Sequence, residues 1–145
     1  MGTAYDRDVI ARADEQAALI RARRFDELDL DHLADEIEDV NKSERRELAS
    51  RMAVLIMHRL EWQMQPDRRG PTRETTFGEQ GRRLRRALER TPSLRTMPTD
   101  PEWIEDIWTD GVAGAMRETG LDRIAFPVEC PWPLRDMIRD GWKPD

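Results

Sequence analysis

The stretch SERRELASRMAVLIMHRLEWQMQ, residues 43–65, decides the fold. It holds no Gly and no Pro, and its middle, Met52 to Met57, is apolar on every side of a helix. A helix that is apolar all round belongs in an interior rather than on a surface. Ser43 followed by Glu44 reads as a helix start, and Pro66 ends the segment. The stretch therefore predicts a helix at the centre of a bundle.

Moving toward the N-terminus, Leu30, Leu33, Ile37 and Val40 form a narrow apolar stripe at spacings of three and four. Asp31, Asp35, Glu36, Glu38 and Asp39 cover the opposite side, which predicts a strongly acidic amphipathic helix. Asn41 and Lys42 either break it before Ser43 or mark a kink in one continuous helix. Tyr5 to Arg23 reads as a first helix, with Val9, Ala13, Ala17 and Ile20 at helical spacing.

On the C-terminal side, Thr72 to Arg90 predicts a further helix with Phe77, Leu84 and Leu88 inward. Gly78 and Gly81 weaken it by roughly 1 kcal/mol each relative to Ala. Asp100 caps the next helix, with Pro101 at its first position and Gly120 just past its end. Trp103, Ile107, Trp108 and Ala115 mark its buried side. Prolines in Leu121 to Pro133 forbid regular helix until a short segment from Leu134 to Asp140. No stretch alternates with period two, so strands are not expected. The sum is an all-α bundle of four to five helices, a single helical domain over residues 1–145, with a Pro-rich C-terminal tail packed across it.

Composition bounds the function. Of 145 residues, 38% are hydrophobic and 37% charged, yet five Trp and seven Met supply core material that a disordered chain would lack. A net charge of −6 argues against a dedicated nucleic-acid binder. Cys130 is the only cysteine, which excludes an internal disulfide and a multi-thiolate zinc site. Met1 to Asp14 is charged with no apolar run behind it, so no signal peptide is expected. Met52 to Met57 is far too short to cross a bilayer. The expected setting is cytoplasmic, with no membrane contact.

A set of motifs then stands out in order. Leu30-x-x-Leu33-Ala34-Asp35-Glu36-Ile37-Glu38 is followed by Ser43-Glu44, Glu47-Leu48, Leu55-Ile56-Met57-His58 and Trp62-x-x-Gln65-Pro66. Thr76-Phe77-x-Glu79-Gln80, Pro92-Ser93-Leu94, Glu118-Thr119 and Phe126-Pro127-x-x-Cys130-Pro131-Trp132 complete it. From Tyr5 to Trp142 the chain resembles the bacterial family called domain of unknown function 29. The resemblance implies an all-helical, single-domain bacterial protein with no established activity. One departure is that Thr72-Arg73 stands where family members often carry Ser-Trp.

His58 is the residue with most chemical interest, one turn before Trp62 in the apolar helix. Its plain reading is a half-buried histidine bonded to a carboxylate across the bundle. A metal reading joins Glu36, Asp39, Glu47 and His58 on two neighbouring helices; a divalent metal is the one cofactor these residues would hold. The stronger Glu-x-x-His signature on paired helices is missing. A catalytic reading takes Arg51 and His58 as the Arg and His that HEPN-type ribonucleases carry within one helix. Seven residues bring both onto one side within roughly 20°. The His would move a proton and the Arg would steady phosphate charge.

Arg82, Arg83, Arg85, Arg86 and Arg90 form a basic stretch that the acidic helix can neutralise. Cys130 has no adjacent base, so tail packing is its expected use. The expected role is a small interaction or accessory domain without catalytic activity, a homo-oligomer or a protein's partner. The alternative is a metal-dependent or RNA-cleaving enzyme centred on His58.

Overall fold

The computed structural model describes residues 8–145. Five α-helices follow in order: α1 (Val9–Arg21), α2 (Leu30–Met64), α3 (Pro71–Arg90), α4 (Pro101–Thr119) and α5 (Leu134–Met137). Short 3-10 segments join them, the longest over Pro92–Thr99. No strand occurs among the described residues. The all-α expectation holds, and the chain divides into two compact units, one ending at Glu44 and one running from Arg45 to Asp145.

Asn41 and Lys42 do not interrupt α2, which runs unbroken for 35 residues. Between residues 30 and 64 there is no Gly or Pro, and Asn or Ser in a helix costs only tenths of a kcal/mol. A weak local preference therefore yields to continuity. The first helix begins at Val9, where the Asp8 carboxylate accepts from the Ala11 N–H. Its expected start at Tyr5 lies outside the described residues.

The first unit is an antiparallel helical hairpin. Arg12 of α1 is ion-paired with Glu36 of α2, and Gln16 Oε1 accepts from the Asp29 N–H at 2.9 Å. The two pairs run in opposite chain order, which fixes the hairpin sense. Its buried side differs from the sequence pattern. Arg12 and Gln16 are the buried residues of α1, whereas Val9 and Ile20 are exposed. Leu30, Ile37 and Val40 of the predicted stripe are exposed as well, the last two at 71% and 64%. Among its described residues the unit buries no apolar side chain. Arg23, just past α1, has φ 60°, a left-handed conformation for a non-glycine residue.

The second unit holds the core. Leu55, Ile56 and Leu60 of α2 are fully buried, as the apolar run predicts. Phe77 and Leu84 come from α3, Leu94 and Met97 from the 3-10 segment, and Trp103, Ile107, Trp108 and Val112 from α4. α4 starts and stops as its sequence dictates: Asp100 accepts from the Glu102 N–H, and Gly120 closes the helix at φ 72°. At Gly111 and Gly114 its backbone lies directly over Ile56 and Met57 of α2.

The tail packs on this core. Phe126, Leu134 and Met137 are buried. Trp132 stands edge-on between Trp108 and Trp142, with centroids 5.7 and 5.6 Å away. The tail's backbone carbonyls are gripped by side chains from the helices. Trp108 Nε1 donates to Pro127 O, Arg59 to Met137 O and Arg85 to Ile138 O. Helix α5 ends at Met137, earlier than the predicted Asp140.

Candidate functional site

His58 lies on the second unit's part of α2, three-quarters buried. Its Nδ1 is 3.4 Å from Glu61 Oε2, one turn further along the same helix. The partner carboxylate thus comes from its own helix and not from across the bundle. Arg73 of α3 completes the group, donating to the Glu61 backbone carbonyl and to Gln65 Oε1, with its guanidinium 3.8 Å from the Glu61 carboxylate. The ion pair fixes Glu61, Glu61 sets the imidazole, and the three together tie α2 to α3. Arg73 occupies one of the two positions where the family often has Ser-Trp, and this network accounts for its use here.

Arg51 does not join His58. It is held by Glu47, with Nη2 to Oε1 at 2.7 Å, an ordinary i,i+4 pair. It lines a shallow cleft with Ser50, Val54, Gln80 and Arg83. Seven residues of helical rise, roughly 10 Å, separate the Arg51 and His58 positions along the axis. They share a helix side, as predicted, but each is engaged by its own glutamate.

The metal reading is not realised in this arrangement. Glu36, Asp39, Glu47 and His58 lie on one helix, not on two facing ones. Glu47 and His58 alone are about 16 Å apart along its axis. Glu36 is taken by Arg12, and Asp39 is exposed. Among the described residues no three His, Cys, Asp or Glu side chains come together as metal ligands.

The basic stretch of α3 divides by burial. Arg82, Arg83, Arg86 and Arg90 are exposed, and Arg83 pairs with Glu79. Arg85 turns toward the tail, and the absence of a side chain at Gly81 leaves room for its guanidinium: a Cβ there would stand 3.2 Å from Arg85 Nη1. Cys130 is half-buried, and its thiol donates to Trp132 O at 3.4 Å. Burial pushes its pKa up, which suits packing rather than nucleophilic chemistry.

Sequence reasoning missed Arg59. It is 2% exposed, with its guanidinium 4.3 Å from the Phe77 ring centroid and 5.8 Å from that of Trp142. Desolvation lowers its pKa to about 10, still well above neutrality, so the buried group stays cationic. An arginine in a charge-rich chain gives no local sign of burial; only the aromatic cover, far away in sequence, reveals it.

These features define an all-helical protein with an exposed helical hairpin and a separate core sealed by its own C-terminal tail. Residues 4–143 match the family described as Domain of unknown function DUF29, and the chain belongs to that family. No match was found among curated proteins or among solved structures. No helix of the described residues is long and apolar enough to cross a membrane.

Proposed function

We propose that this chain is a cytoplasmic interaction domain without catalytic activity of its own, and that its N-terminal hairpin docks against a second copy. One observation carries the reading. The described part of the first unit buries no apolar side chain, yet Phe25, Leu30, Ile37 and Val40 stand exposed on it. Segments this short rarely hold a fold without an apolar core or an added constraint. Two helices from each of two copies make a four-helix bundle, the usual way to bury such stripes.

Charge supports a self-complementary pairing. The end of α1 and its connection carry Arg21, Arg23 and Arg24, whereas the start of α2 carries Asp31, Asp35, Glu38 and Asp39. A two-fold axis sets each copy's basic end against the other's acidic side. Cytoplasmic placement belongs to the same reading. Cys130 is a free thiol, a state that reducing compartments maintain.

Sedimentation equilibrium tests this. The wild type should dimerise, and Ile37→Asp with Val40→Asp should yield a folded monomer. A wild type that stays monomeric at tens of micromolar, or a double variant that still dimerises, would refute it.

A further inference from the structure

We infer that the second unit contains a binding site for a medium-chain aliphatic carboxylate, in a cavity bounded by α2, α3, the 3-10 segment, α4 and α5. The inference is independent of hairpin docking, since every lining residue lies beyond Arg45. The cavity measures about 260 Å³, and Leu48, Met52, Leu88, Leu134 and Ile138 make most of its wall. At roughly 30 Å³ per water-sized group it holds about eight or nine such groups. A flexible alkyl chain of that length fits a wall of Leu, Met and Ile side chains.

Two observations point to a polar head on that ligand. Trp103 is part of the wall and 8% exposed, and its indole Nε1–H is buried with no acceptor among the described residues. A buried donor left unmade is costly, and tryptophans of the interior usually find a partner. Trp108, further along the same helix, finds one at Pro127 O. Arg95 and Arg135 also line the cavity, both exposed, and neither forms an ion pair or side-chain hydrogen bond among the described residues. Two uncommitted guanidinium groups at an apolar cavity, in a chain of net charge −6, select an anionic head. An apolar tail, a carboxylate for the arginines and an acceptor for the indole meet in one molecule.

Octanoate is the probe, titrated into the full chain by calorimetry, with octan-1-ol and octylammonium as chain-matched controls. Octanoate should bind saturably at one site per chain. The alcohol should bind at least about tenfold more weakly, reflecting the loss of charged hydrogen bonds. Arg95→Glu with Arg135→Glu, both at exposed positions, should reduce octanoate affinity by at least about tenfold. Trp103→Phe keeps the ring, removes the donor and should weaken binding by roughly 2–12-fold. Absence of saturable octanoate binding would overturn the inference. So would equal affinity for the ammonium or the alcohol, or full affinity in the double arginine variant with its circular dichroism unchanged.

Discussion

Replacing Gly111 by alanine tests the tightest contact in the second unit. A Cβ there would stand 2.4 Å from Ile56 Cγ2, 2.7 Å from Ile56 Cβ and 3.1 Å from Ala53 O. Carbon atoms prefer 3.5–4.0 Å, so the helices must separate by about 1 Å. Ile56 is fully buried and β-branched, and cannot swing aside. Overpacking costs about 1–3 kcal/mol, and this site belongs at the top of that range. The gain from replacing a helical glycine is about 1 kcal/mol. The net loss is about 2 kcal/mol, or roughly 8–16 °C in melting temperature for a unit of this size. Gly114→Ala meets the flexible Met57 side chain, nearest at Sδ, 2.8 Å, and should be close to neutral. Gly78→Ala on α3 meets nothing within 4 Å and should gain up to about 1 kcal/mol. Urea unfolding followed by circular dichroism ranks the three. Equal stability of the Gly111 and Gly78 variants would refute the close approach of α4 to α2.

Other expectations follow from single residues. Arg59→Met keeps volume and removes a buried charge, so it should stay within about 1 kcal/mol of wild type, whereas Arg59→Ala should lose about 2–4 kcal/mol by the same urea assay. Arg23→Gly relieves a left-handed non-glycine residue and should raise hairpin stability by about 1 kcal/mol, read by amide exchange in α1. Cys130 should alkylate more slowly in the native protein than in urea at pH 8. Its raised pKa favours the protonated thiol, so its contribution to stability is full below the ordinary thiol range and is lost as pH rises through the native value. The Asp29 pKa is lowered, chiefly by its hydrogen bond with His32, so its contribution is present above the ordinary aspartate range and lost as pH falls through the native value. A carbon-detected NMR titration of Asp29 reads that midpoint. Purified protein should not cleave RNA; cleavage abolished by both Arg51→Ala and His58→Ala, with the fold intact, would overturn the non-catalytic reading.

The helices were legible where local chemistry acts alone. Asp100, Pro101 and Gly120 bound α4 by capping rules that need no tertiary information, and Met52 to Met57 could only be interior. The stripe of Leu30, Ile37 and Val40 was correctly placed on one helix side, but periodicity cannot say whether that side is covered. Nor could it show that Arg12 and Gln16, rather than Val9 and Ile20, would be buried on α1. The candidate site was less legible for a related reason. Arg73, Arg85 and Arg59 look alike in the sequence, and only partners 12, 53 and 78 residues away separate their uses. The metal grouping failed because it required two facing helices where α2 is one.

The grip of Arg59 on Met137 O also bears on synthesis. The two residues are 78 positions apart, so a ribosome adding roughly 5–20 residues per second needs about 4–16 s between them. During that interval the nascent chain carries a cation whose aromatic and carbonyl cover is incomplete. The second unit therefore cannot close from its N-terminal end as it emerges. Its assembly is post-translational in character, and a holding chaperone would find Leu55, Ile56 and Leu60 exposed until Trp142 has been made.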